Sequence, residues 1–349
     1  MSHSDSGEFK LSCRKTVAIS TRELVRTGYI SEGQTLPLLI LPSSCDVSLS
    51  GWAEDNHEFI QAELLRHGAI LFRGFSVRSH DGFRLLVSKI AREPMAYTER
   101  SSPRSEVGEN IYTSTDYPSN ESIFPHNEHS YSDIFPLKLF FWCQLAAQQG
   151  GETPLGNTRK IYEGIPQKIR DEFAKKGWMF VRNFNQGFGL RWQTVFQTDD
   201  RSEVEQYCRS SGIECEWRGE DRLRTRQVRP AIARHPHTNE LVWFNHATFF
   251  HSTNLPGSVS AALRAEYAQD ELPNNTFYGD GSSIPDEVIM VLRDAYLREM
   301  VSFPWNEGDI ILIDNMLTAH ARNPFAGPRR ILFAMAEPCH ASSICRAKD

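Results

Sequence analysis

Hydrophobic positions along the chain follow two different periods. A helical period appears over 49–66, where Trp52, Phe59, Ile60, Leu64 and Leu65 share a face, and again over 81–91 with Phe83, Leu86, Val87 and Ile90. Gly68 is placed to close the first helix in the left-handed conformation. Further helical stretches cover 169–176, ended by Gly177, and 285–300, with Val288, Ile289, Leu292, Ala295, Tyr296 and Met300 in register. Shorter ones fit 203–210 and 260–269. The other signal is a set of short apolar runs: 36–42, 69–75, 137–145, 178–181, 241–245, 310–313 and 329–335. Runs that are apolar at every position mark strands buried on both faces. The remainder of 185–240 reads as short helices and polar loops. Residues 98–123 are rich in Ser, Pro and Asn, and a polar stretch of that length reads as a functional loop. Residues 1–15 read as a mobile tail.

Many short strands, with helices gathered in the first third, predict a mainly β fold: a double-stranded β-helix (jelly roll) with flanking helices. Such a barrel keeps one mouth open while apolar side chains fill the other end. No repeat or low-complexity linker interrupts the 349 residues, so a single domain over 1–349 is expected.

Composition narrows the function without choosing it. With 40% hydrophobic and 23% charged residues, the chain is of the ordinary globular kind. A net charge of -6 gives no reason to expect a nucleic-acid partner. Seven scattered cysteines without a C-x-x-C pair suggest neither a disulfide framework nor a zinc ribbon, and fit a reducing cytoplasm. The polar N-terminus lacks the apolar segment of a secretory signal, and no apolar run reaches membrane-spanning length.

Candidate chemistry lies in Phe124-Pro125-His126-Asn127-Glu128. On an extended strand, residues two apart face the same way, so His126 and Glu128 can reach one metal ion. His320, shortly after the 310–313 run, is the best third ligand. Two His and one carboxylate match a non-haem Fe(II) oxygenase, although an isolated H-x-E triplet also arises by chance. Arg330 falls in an otherwise apolar strand, where burial demands an anion, either a protein acid or a ligand carboxylate. Its neighbour Arg329 is then expected to face solvent. Thr153, after Gly150-Gly151, offers a hydroxyl to the same carboxylate, or is a plain strand residue.

Taken together, H-x-E, then Gly150-Gly151-Glu152-Thr153, then the 308–315 segment with His320, Arg329 and Arg330 behind it, resemble the taurine-dioxygenase-like (TauD/TfdA) Fe(II)/2-oxoglutarate oxygenases. The likeness runs from about Gly68 to Ala336. Glu128, with the 243–246 and 277–281 segments, is closer to the branch of the syringomycin-type aspartyl hydroxylase. The resemblance implies His126, Glu128 and His320 as iron ligands. It implies Arg330, helped by Thr153, as the partner of the far carboxylate of 2-oxoglutarate. Cofactors are then Fe(II), 2-oxoglutarate and O2, with succinate and CO2 as co-products. Glu128 argues against halogenation, for which the carboxylate is replaced by a small residue.

The expected substrate is a small amino-acid-like molecule, free or tethered to a peptidyl carrier protein, hydroxylated in natural-product biosynthesis. Desaturation or epoxidation are the alternatives within the family. Thr113 and Ser114, with Tyr112 and Thr115 beside them, and Trp243, Asn245 and His246 are expected along the substrate wall. His129, His246 and His251 are expected to be structural or substrate-facing rather than ligands. Arg191 and Arg224 are more simply read as surface ion pairs than as anchors of a substrate carboxylate. Two other classes compete: a zinc hydrolase with the same ligands, and a non-catalytic small-molecule-binding barrel.

Overall fold

A computed structural model describes residues 21–344 except 100, 102, 103, 116, 185–188 and 256. The expected tail over 1–15 lies outside the described residues.

The largest sheet runs Val25–Tyr29, Leu38–Pro42, Ala69–Phe72, Ile310–Asp314, Ile134–Leu145, Arg330–His340, Ile111–Thr113 and Glu106–Gly108, with Pro94–Met95 on the side of Arg330–His340. Its central strands are apolar throughout because both faces are covered. Ile310 and Leu312 pack outward with Trp52, Ile60, Leu64, Phe83, Leu86 and Ile90 of the flanking helices. Ile311 and Ile313 point inward, with Leu139, Phe141, Leu155, Ile331, Phe333 and Met335. Each such side chain, fully buried, contributes roughly 1.5–3 kcal/mol.

A smaller sheet, Met300–Val301, Leu155–Asn157, Thr318–Arg322 and Ile123–His126, is the second wall of the jelly roll. Its last pairing places His320 opposite His126. Two candidate ligands nearly two hundred positions apart in the chain thus become cross-strand neighbours.

Three expectations about elements change. The helix over 49–66 is two helices, Leu49–Asp55 and His57–His67, divided at Asn56. The Asn56 side chain donates to the Trp52 carbonyl at 2.9 Å, the local competition that Asn brings to a helix. Gly68 does close the second helix, at φ 84°. The 185–240 region contributes strands Ile213–Arg218 and Arg222–Arg229, which join Trp178–Phe184 and Asn274–Tyr278 in a four-stranded sheet. Polar residues such as Thr225 and Gln227 occupy its buried positions, so the hydrophobic alternation is missing from the sequence. The 98–123 loop includes the short strands Glu106–Gly108 and Ile111–Thr113. Among the described residues, no helix is long and apolar enough to cross a membrane.

Candidate active site

The ligand-bearing turn begins where the Ile123–His126 strand ends. Glu128 is therefore placed by the turn and its clamps, not by strand alternation. The side chain of Asn315 accepts the Glu128 N–H at 2.8 Å and donates to the carbonyls of Glu128 and Pro136, both at 2.8 Å. Asn127 donates back to the Asn315 carbonyl at 2.6 Å. His129 then takes a left-handed φ of 56°, which turns the chain away.

The result is a compact triad. One ligand atom from each of His126, Glu128 and His320 lies within 4.8 Å of the others. The two imidazole centroids are 4.4 Å apart, and His320 Nε2 is 3.8 Å from Glu128 Oε2. His126 Nδ1 lies 2.9 Å from the Phe124 carbonyl, a contact that holds Nδ1 as the donor and leaves Nε2 a lone pair for a metal. Burial lowers the pKa of both His126 and His320, so both favour the neutral form that a metal requires. Burial alone would raise the pKa of Glu128, but Arg104, then His129, outweigh it and hold the carboxyl at about 2. Two neutral imidazoles and one carboxylate fit Fe(II).

A cavity opens beside the triad, lined by Arg104, Ser114, Thr115, Thr153, Arg322 and Arg329, with His126 and His320 in its wall. The expected facing of the two adjacent arginines is reversed. Arg330 is exposed, at the end of its strand opposite Leu145. Arg329 is half-buried and lines the cavity. The inward face of that strand carries Ile331, Phe333 and Met335, and period-two alternation puts Arg329, not Arg330, on it.

The Arg329 guanidinium donates from Nε to the Gly151 carbonyl at 2.9 Å, from Nη1 to Ser114 Oγ at 3.3 Å and from Nη2 to Thr153 Oγ1 at 3.5 Å. None of these partners is an anion. Burial, and Arg322 nearby, lower its pKa, so an arriving carboxylate would relieve an uncompensated charge. Thr153 is buried and also accepts from Trp305 Nε1 at 3.2 Å. Gly150 and Gly151 permit the close approach. Both have positive φ, and a Cβ on Gly150 would lie 2.2 Å from the Pro324 carbonyl oxygen.

The other expected residues divide. Ser114 lines the cavity, whereas Thr113 points its hydroxyl at the Ser105 N–H. The Tyr112 hydroxyl likewise accepts a backbone N–H, from Tyr97. Trp243 is fully buried against Phe173, and Asn245 bridges the Ala231 carbonyl and the Ala247 N–H. Both are corrected to structural positions: the strand ends at Trp243 with its side chain in the core. His246 lies beside the triad, 5.7 Å from His126 between ring centroids, with Nδ1 on Ser130 Oγ. His129 has Nε2 3.7 Å from Glu128 Oε1, and His251 caps a short helical turn. Arg191 forms an exposed pair with Asp221. Arg224 is instead buried, donating to Asn183 and Asp270.

Three contributors escape a reading of the sequence. Arg322 shares the face of His320 by strand alternation, lines the cavity and donates to the carbonyls of Tyr117, Pro118 and Glu121. The period-two spacing was a usable signal for it. Asn315 looks like any turn residue until its partners are known. Arg104, in a Ser-Pro-rich loop, carries no sequence mark at all.

A jelly roll with a His–Glu–His cluster and an anion-seeking arginine in one cavity defines a non-haem iron oxygenase of the 2-oxoglutarate type. Residues 34–336 match the family described as "Taurine catabolism dioxygenase TauD, TfdA family", and the chain belongs to it. It is 40% identical over 305 residues to the dapdiamide synthesis protein DdaC of Enterobacter agglomerans, covering 87% of this chain and 92% of that protein. A clavaminate synthase-like protein of Arabidopsis thaliana is 28% identical over 325 residues, covering 88% and 95%. Among solved structures, PvcB, "an Fe, alpha-ketoglutarate dependent oxygenase from an isonitrile synthetic pathway", superposes with a TM-score of 0.54 at 15% identity, over 97% of this chain and 98% of that one. A taurine dioxygenase from Burkholderia xenovorans gives 0.53 at 14% identity, over 93% and 96%. The protein is thus a dioxygenase that uses Fe(II), 2-oxoglutarate and O2. That settles the earlier competition against the hydrolase and the non-catalytic barrel.

Proposed function

We propose that the protein hydroxylates a small amino-acid-like molecule, free or carried on a peptidyl carrier protein, in a biosynthetic pathway of the cytoplasm. The biosynthetic setting is suggested by the names of its relatives, since DdaC is a dapdiamide synthesis protein and PvcB belongs to an isonitrile synthetic pathway. The free Cys45, Cys143, Cys208, Cys215 and Cys339 suit a reducing compartment.

The observation that carries this reading is the placing of the triad and the Arg329–Thr153 pair in one cavity. His126, Glu128 and His320 would hold the iron. Iron and 2-oxoglutarate supply the oxidising chemistry when bound. The chain supplies geometry. The contact of His126 with the Phe124 carbonyl fixes its ring, and Asn315 fixes the Glu128 backbone. Arg329 uses three of its five N–H donors on the protein and keeps one on each terminal nitrogen for a carboxylate of 2-oxoglutarate. Phe141, with its ring 5.2 Å from His320, and Phe249, with its ring 4.8 Å from His126, pack apolar surface against the two imidazoles.

The test is succinate formation coupled to O2 uptake, screened with free amino acids and carrier-bound aminoacyl groups, alongside a product 16 mass units heavier as expected for one added oxygen atom, of order 16 Da. Substrate-stimulated succinate release that disappears in His126→Ala supports the reading. Release unaffected by His126→Ala would contradict it.

A further inference from the structure

The mechanism above gives no role to Arg104, a charged group of the cavity wall. Arg104 is buried, with its side chain only 4% exposed, and it lines the cavity together with His126 and His320. Nη2 donates to Glu128 Oε2 at 2.8 Å. Nε and Nη1 are buried and have no hydrogen-bond partner. The guanidinium carbon lies over the Phe333 ring at 4.2 Å and over the Tyr97 ring at 5.0 Å. Rings over a guanidinium meet its face, whereas its N–H bonds lie in its plane, so stacking does not satisfy those donors. A buried N–H without an acceptor is costly, and more so on a charged group.

The charge balance points the same way. The cavity wall carries three guanidiniums, Arg104, Arg322 and Arg329, against the Glu128 carboxylate. Fe(II) and the 2-oxoglutarate dianion cancel one another, so binding both leaves the excess of positive charge in place. Arg322 commits both terminal nitrogens to three backbone carbonyls and is left with Nε alone buried and without a partner. Arg329 is claimed by the co-substrate. Arg104 pairs directly with Glu128 of the triad and still keeps two nitrogens, Nε and Nη1, without a partner.

We propose that Arg104 is a specificity-determining residue: its Nε and Nη1 receive a carboxylate or acyl carbonyl oxygen of the substrate beside Glu128. This rests on the reading of the cavity as the oxygenase active site, and it narrows the substrate class. The end of the substrate nearest the iron presents an oxygen acceptor, and a free ammonium there is repelled. An amino-acid-like substrate would then enter with its carboxylate, or the carbonyl that tethers it to a carrier, towards Arg104.

The experiment is anaerobic calorimetry on protein loaded with Mn(II) and 2-oxoglutarate. The probes are N-acetylglycine, N-acetyl-L-alanine and N-acetyl-L-asparagine against glycinamide, L-alaninamide and L-asparaginamide. Each acid carries a carboxylate and no ammonium; each amide carries the reverse. At least one acid should bind about tenfold or more tighter than its amide, the scale of one charge-assisted hydrogen bond. Arg104→Met should bring the pair to within about twofold, while 2-oxoglutarate affinity stays within about threefold of the wild type, well under the loss of such a bond. Arg104→Lys keeps one charged contact to Glu128 without the fork, and should lose the preference too. If Arg104→Met does not fold, Arg104→Lys decides.

Equal binding of acids and amides, tighter amides, or no binding of either would overturn the proposal, as would a preference that survives substitution. A drop of about tenfold in 2-oxoglutarate affinity in both variants would also overturn it, assigning the donors to the co-substrate. All these results leave the oxygenase reading intact, because the wild type still takes up Mn(II) and 2-oxoglutarate. Wild-type protein that binds neither would bring down that reading itself.

Discussion

Arg329 and Arg330 are adjacent and chemically identical, yet only Arg329 faces the cavity. The family pattern of an arginine behind His320 was legible in the sequence, but the choice between two neighbours was not. Both faces of the 331–336 strand are apolar, since one packs inside the barrel and the other under the helices. Nothing in the run itself says which face is interior. Arg329→Ala should raise the Kd for 2-oxoglutarate by about tenfold or more, consistent with ~1.5–3 kcal/mol for a charge-assisted bond. Arg330→Ala should leave it unchanged. Calorimetric titration of both variants checks this, and the opposite order of effects would return the role to Arg330. Thr153→Val, removing one hydroxyl beside Arg329, should weaken the co-substrate by only a few-fold, in line with ~0.5–1.5 kcal/mol for a neutral hydrogen bond.

At the scale of elements, the chain shows where pattern reading works. Helices with an apolar stripe, such as His80–Ile90 and Gln167–Lys176, the second stopped by Gly177, stand close to their expected bounds because local sequence determines them. So do the continuous apolar strands Ile134–Leu145 and Ile310–Asp314. The polar strand Arg222–Arg229 was not visible, because its buried positions are largely polar and its place is set by pairing with the neighbouring Ile213–Arg218 and the distant Trp178–Phe184. His126 and Glu128 could be singled out by spacing, but the device that orients them could not. It is the Asn315 side chain, in the connection between Ile310–Asp314 and Thr318–Arg322. Asn315→Ala removes three buried hydrogen bonds and leaves their partners unpaired. It should cost ~2–4 kcal/mol of stability, from the penalty per unsatisfied group, and weaken metal binding by about tenfold or more, as losses in the shell behind a ligand do. Urea unfolding and Mn(II) titration measure the two effects. A variant as stable as wild type with undiminished metal affinity would remove Asn315 from that role.

For the whole molecule, the enclosed interior that shapes the site also leaves a pH signature. Burial depresses His129 and His251, each to about 4. Both protonate near 6.5 when the chain unfolds. Between these values the unfolded state binds more protons, so stability rises with pH through that window and is lost as pH falls from about 6.5 towards 4. Each such histidine contributes roughly 1.4 kcal/mol per pH unit within it. Urea midpoints of metal-free protein at pH 7, 6 and 5, near the ordinary histidine value, should fall steadily, and a flat series would show these rings to be accessible to protons.

The jelly roll brings two short strands together so that His126 faces His320, and it closes the cavity behind them with Phe141 and Arg329. The most direct measurement of that arrangement is the visible absorption that develops when 2-oxoglutarate is added without oxygen to Fe(II)-loaded protein. Wild-type and Arg330→Ala protein should develop the same saturable metal-to-ligand band, Arg329→Ala should need far more co-substrate, and His320→Ala should show none. An unaltered band in His320→Ala, or no band in the wild type, would contradict a shared iron and 2-oxoglutarate site at these residues.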